Sequence, residues 1–117
     1  MDEKEIMGLY ENEDQARDIL QASRKRIDEI DNDLVNLISE RTSLAKDIVS
    51  AKVFLGMEIY DKSREDEVHA KVSKLAEEKN LDDDILGAIM NMLTILSKNK
   101  QKELLEEWLW EILELHS

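Results

Sequence analysis

Six polar residues occupy positions where helical faces should be apolar. Arg41 lies in the stretch LISERTSLAKDIVSAK, on a seam that otherwise reads Leu37, Leu44, Ile48 and Ala51. An unpaired guanidinium is costly to bury, so this one must meet an anion or a shaped polar cavity. Lys52 follows eleven residues later, close to three helical turns, with its Cα about 16 Å away on the same face. Arg64 and Glu65 stand at the edge of the face marked by Val68 and Val72, and Ser97 and Gln101 are spaced i, i+4 in the stripe between Leu93 and Leu104. Arg24 precedes Arg41 by seventeen residues, about 25 Å along the axis and roughly 260° around it. It cannot serve the same ligand from the same helix, although the Arg24 of a second copy could.

This inventory holds several cations, a carboxylate, a hydroxyl and an amide. It contains no Ser-His or Cys-His pair, and His69 and His116 are isolated, as surface histidines are. Such groups suit a small ligand with two carboxylates and some neutral oxygens. They suit a reaction that needs no nucleophile or base, only charge placed where the transition state develops it. Each residue also has an ordinary reading. Arg41 could be a register-fixing polar residue in a coiled coil; Lys52, Arg64, Glu65, Ser97 and Gln101 could lie on solvated faces. Their joint order is what favours a site. Met90 and Met92 read as core filler.

The elements that must position these groups are helices. The 117 residues lack proline and cysteine, include three glycines and are 4% aromatic, which favours helix nearly everywhere. A seam of Leu20, Ile27, Ile30, Leu34, Leu37, Arg41, Leu44, Ile48, Ala51 and Leu55 runs to about Val53 without a breaker. About 40 helical residues make a rod of roughly 60 Å, far longer than a domain of this size with its radius of gyration of about 13 Å. A lone chain cannot cover it, so the pattern predicts an intertwined homodimer. The stretch 54–61, with Gly56, reads as a loop. A second helix follows, capped by Asp61 or Ser63. Asn80 to Asp84 stop it and cap a third, which starts near Asp82 and extends into the apolar tail. The expected fold is all-α: a three-helix subunit with a very long first helix. Residues 1–13 read as an acidic, frayed extension, 14–107 as the helical domain and 108–117 as an apolar extension.

A net charge of −12 disfavours nucleic-acid and anionic-membrane partners. The acidic start lacks an apolar signal region and no apolar run approaches a membrane span, so a cytoplasmic protein is expected.

Four motifs occur in order: R-x-x-I-D-x-I-D from Arg24, E-R-x-x-L-A-x-x-[IV]-x-x-x-K from Glu40 to Lys52, D-x-x-R-E from Asp61, and S-x-x-x-Q from Ser97 to Gln101. Together they resemble the all-helical chorismate mutases of the AroQ class, over about Arg24 to Glu107. The resemblance implies a dimer of three-helix subunits wound around each other, rearranging chorismate to prephenate on the route to phenylalanine and tyrosine, without cofactor or metal. It implies that Arg24 enters the partner subunit's site and that Arg41 and Arg64 hold carboxylates, with Ser97 contacting a carboxylate. Lys52 would touch a carboxylate and the ether oxygen, to which Gln101 also donates. The backbone of Asp61 and the carboxylate of Glu65 would hold the ring hydroxyl. Lys52, Gln101, Arg41 and Glu65 are the expected catalytic residues. Two other readings are an isochorismate–pyruvate lyase of the same fold and a non-catalytic helical dimerisation module. The tail from Trp108 to Ser117 departs from the family pattern and could cap the bundle or bind a partner domain; the chain could also associate with another aromatic-pathway enzyme.

Overall fold

The computed structural model describes residues 1–116, all outside the helices being turns and short connections. Five helices follow one another: α1 (Glu3–Met7), α2 (Glu13–Ser43), α3 (Ala45–Leu55), α4 (Lys62–Lys79) and α5 (Asp83–Leu115). No strand occurs among the described residues. Ser117, the last residue of the apolar extension expected over 108–117, lies outside them.

The chain divides into two units, Met1–Leu37 and the residues from Ile38 onward. The first contains α1 and most of α2. The stretch expected to be frayed instead begins with the one-turn α1, because Asp2 caps it by accepting from the Glu5 amide at 2.8 Å. Asn12 caps the start of α2 in the same way, accepting from Gln15 N at 2.9 Å. No residue of α2 is buried. Its seam residues Leu20, Ile27, Ile30, Leu34 and Leu37 are 41–61% exposed.

The expected single helix to about Val53 is interrupted once, at Leu44. The Thr42 and Ser43 hydroxyls donate to the carbonyls of Ile38 and Glu40, the back-bonding by which such residues loosen a helix. Leu44 N then bonds Arg41 O, a tighter i→i+3 closure. Leu44 keeps right-handed helical dihedrals, so the break is a local tightening rather than a turn.

In the second unit, α5 packs against both α3 and α4. The apolar centre is small: Ala45, Val49, Val72 and Ala76 are buried. Small side chains at these positions allow close helix approach, and volume added there forces strain. The ends of α3 and α4 are built alike. Gly56 takes the left-handed conformation (φ 69°) and Asn80 does so at φ 58°. Gly56 N bonds Val53 O while Met57 N bonds Lys52 O at 2.8 Å; Asn80 N bonds Glu77 O while Leu81 N bonds Ala76 O at 2.9 Å. Both are the paired 6→1 and 5→2 closures of a Schellman cap. Asp61 and Asp82 begin the following helices, accepting from Arg64 N and Ile85 N. These caps set where α3 ends and α4 begins, and so where Lys52 and Glu65 stand.

No atom lies within 4 Å of a Cβ placed on Gly56, so Gly56→Ala tests the backbone alone. The left-handed conformation disfavours alanine by about 1 kcal/mol. Urea denaturation should show a loss of that size; an unchanged midpoint would mean that the cap contributes nothing.

Candidate functional site

A cavity of about 380 Å³ opens between α3, α4 and α5 within the second unit, a volume ordinary for a small-molecule site. Its polar lining includes Arg41, Lys52, Asp61, Arg64, Glu65, Ser97 and Gln101. Every site residue expected from sequence is therefore brought to one place, except Arg24. Arg24 is exposed on α2 in the first unit and is not among the lining residues. Leu44, Ile48, Ile59 and Val68 form apolar walls.

Lys52 and Gln101 are directly joined. Lys52 Nζ donates to Gln101 Oε1 at 3.0 Å and to the Ile59 carbonyl at 2.6 Å. The Gln101 side chain is the one buried polar group of the chain's described residues, at 3% exposure. Its Nε2 donates to Ser97 Oγ at 3.1 Å. An ammonium has three N–H donors and an amide two. These bonds leave one spare donor on Lys52 and one on Gln101. Burial of an amide is tolerated here because both of its ends are satisfied.

Arg41 is half-buried and donates through one nitrogen to the Leu93 carbonyl at 3.0 Å. Its remaining N–H groups are available for a planar anion. The Asp61 side chain is committed to capping α4. Arg64 is turned outward, paired with Glu67 at 3.0 Å with both side chains about two-thirds exposed, so it edges the cavity rather than filling it. Glu65 is paired with Lys98. Next to the site, hydrogen bonding and attraction to Asp66 raise the pKa of the exposed Lys62 ammonium.

Sequence reasoning missed Lys98, Thr94 and the carbonyls of Ile59 and Leu93. A signal for the first two was present: Thr94, Ser97, Lys98 and Gln101 fall at i, i+3, i+4 and i+7 of α5, one face of a helix. The carbonyls have no side-chain signature and depend on how the chain folds back. His69 and His116 are exposed, as expected. Met92 is not core filler in this chain, being 63% exposed. Among the described residues, no three His, Asp or Glu side chains cluster as metal ligands, and no helix is long and apolar enough to cross a membrane.

The cavity sets four cations against two carboxylates, a net +2, in a chain whose net charge is −12. That local reversal favours a dianion over a neutral or cationic ligand. The sequence pattern of the family described as chorismate mutase type II matches residues 23–102. A chorismate mutase of Methanocaldococcus jannaschii is 45% identical over 84 residues, covering 72% of this chain and 85% of that protein.

Proposed function

The chain belongs to the type II chorismate mutase family and has chorismate mutase activity, and from that premise we propose that it works by electrostatic preorganisation in a cage completed by a second protomer. The observation that carries the mechanism is the Lys52–Gln101 hydrogen bond, with its two spare donors inside a net-positive cavity. Chorismate is a flexible dianion. Arg41, Arg64 and Ser97, with Arg24 of a second copy, hold its carboxylates and select the compact conformer in which the bond-forming carbons meet. The Glu65 carboxylate and the Asp61 backbone hold the ring hydroxyl. The ether C–O bond breaks ahead of full C–C bonding, within one cycle of shifting electron pairs, and no proton leaves or enters. Negative charge therefore grows on the ether oxygen. Lys52 and Gln101 donate to that oxygen without reorganising, because their other bonds already fix them.

The exposed apolar seam of α2 supports an intertwined homodimer. Leu20, Ile27, Ile30, Leu34 and Leu37 are already about half covered, so each one that a second copy buried would still gain about 1 kcal/mol. In a two-fold dimer each protomer lends Arg24 to the other's cavity.

Subunit mixing tests this directly. Arg24→Ala and Lys52→Met dimers should each be nearly inactive. Mixed in equal amounts, unfolded and refolded together, they form heterodimers in which one site carries both lesions and the other none. Random pairing should restore about one quarter of the parental sites. Conversion of chorismate to prephenate is followed by product identification. No recovery in a mixture shown to contain heterodimers would mean that Arg24 does not act across the interface.

A further inference from the structure

The Glu65–Lys98 pair differs from five other ion pairs among the described residues. Arg17–Glu13, Arg26–Glu29, Lys62–Asp66, Arg64–Glu67 and Lys100–Glu103 are local pairs on single helices, with side chains at least 41% exposed. Exposed pairs of that kind hold little. Lys98 and Glu65 instead join α5 to α4, and their side chains are only about a quarter exposed (25% and 26%). Lys98 Nζ lies 3.2 Å from one carboxylate oxygen and 3.3 Å from the other, so it straddles the group. It also lies 5.2 Å from the centre of the Tyr60 ring, close enough for a cation–π attraction. The ammonium is thus held by two segments, the loop before α4 and the first turn of α4.

A carboxylate in a cavity for a dianion poses a physical difficulty. Glu65 makes a good acceptor for a hydroxyl, but its charge repels the substrate's carboxylates. We propose that Lys98 is a positioning residue for Glu65: it fixes the carboxylate's orientation and offsets its charge, so that a hydroxyl acceptor can stand beside a dianion. The inference rests on reading this cavity as the site of chorismate rearrangement. Without Lys98 the cavity's formal charge falls from +2 to +1, and Glu65 is left with no cation of its own.

The test is a double-mutant cycle of Lys98→Gln and Glu65→Gln, with Lys98→Arg as the conservative variant. The readouts are kcat, KM for chorismate and the inhibition constant of prephenate, with circular dichroism to establish folding. Lys98→Gln should raise KM and weaken prephenate binding by about tenfold, a partly screened charge effect, with a smaller change in kcat. In the Glu65→Gln background the same substitution should change KM by less than about twofold, since no carboxylate remains to be oriented or offset. Lys98→Arg should stay within about threefold of the parent, because the cation is kept. Equal losses in both backgrounds would overturn the inference by making Lys98 act on the substrate itself. An unchanged KM would also overturn it, as would a Lys98→Gln chain that does not fold, which would make the pair structural. The parent's own conversion of chorismate, measured alongside, separates the two levels: an inactive parent defeats the underlying reading, whereas with an active parent only the role of Lys98 is at stake.

Discussion

Lys52→Met should lower kcat for chorismate rearrangement by about 10³ or more, the upper part of the range for losing one transition-state donor. Three losses coincide. The spare Lys52 N–H, one of the two donors proposed for the ether oxygen, disappears. The cavity's cation excess is halved, since Lys52 is one of four cations opposed by two carboxylates. Gln101 Oε1, on a side chain 3% exposed, is left without the ammonium that bonds it at 3.0 Å. A buried acceptor stripped of its donor costs about 1–3 kcal/mol, and the amide can escape that by turning over, which redirects its own donors away from the ether oxygen. Methionine matches the lysine stem in shape, so the helix ending at the Gly56 cap should persist. Lys52→Arg should also fail, though less severely, because a guanidinium does not fit between acceptors at 2.6 and 3.0 Å that hold a compact ammonium. Steady-state kinetics on variants with parental circular dichroism decide the matter. A folded Lys52→Met enzyme within tenfold of the parental kcat would remove Lys52 from the chemistry.

The legible parts of this protein are those where a local rule and a long-range need coincide. Asp61, Asn80 and Asp82 were readable as caps because their side chains and turn preferences act within three or four residues. Arg41, Lys52, Glu65, Ser97 and Gln101 were readable because each breaks an apolar face that something else must respect, and all of them line one cavity. The tightening at Leu44 was not readable, since it arises from two hydroxyls whose choice between solvent and backbone is not written in periodicity. Lys98 was overlooked for a related reason. In a lysine-rich stretch its charge looks like solvation, and only the approach of α4 turns it into a partner for Glu65. Arg64 shows the reverse. Its position at the cavity edge was readable, but its pairing with Glu67 on the outer side depends on a rotamer that periodicity does not specify. The apolar tail reads as helical, and α5 does continue unbroken to Leu115, leaving Trp108 half-buried and Trp110 67% exposed.

Gln101→Glu should convert an enzyme with a broad pH profile into one that works in acid. The substitution keeps the size of the side chain and replaces an NH₂ with an oxygen. An ionised carboxylate has no N–H or O–H to give, and it places negative charge beside an ether oxygen that is becoming negative. At neutral pH the variant should therefore lose about 10²–10³ in kcat/KM. The carboxylic acid form restores a single O–H donor, so activity should climb as pH falls through the range of a glutamate, about 4.3 in water. Two influences displace that range. Burial at this position, where the native side chain is 3% exposed, disfavours the charge and moves the rise toward neutral pH. Lys52, within hydrogen-bond reach at 3.0 Å, favours the charge and moves it toward acid. Either way the sign is fixed: activity is gained on protonation and never on deprotonation. The parent carries an amide that does not titrate, so its profile should stay nearly flat between about pH 5 and 8, where the substrate's carboxylates remain ionised. The measurement is kcat/KM against pH for both proteins, with folding followed at each pH by circular dichroism. A variant as active at pH 8 as at pH 5 would show that the amide of Gln101 gives no hydrogen bond to the breaking bond, and the assignment of the second donor would pass to another group on the cavity wall.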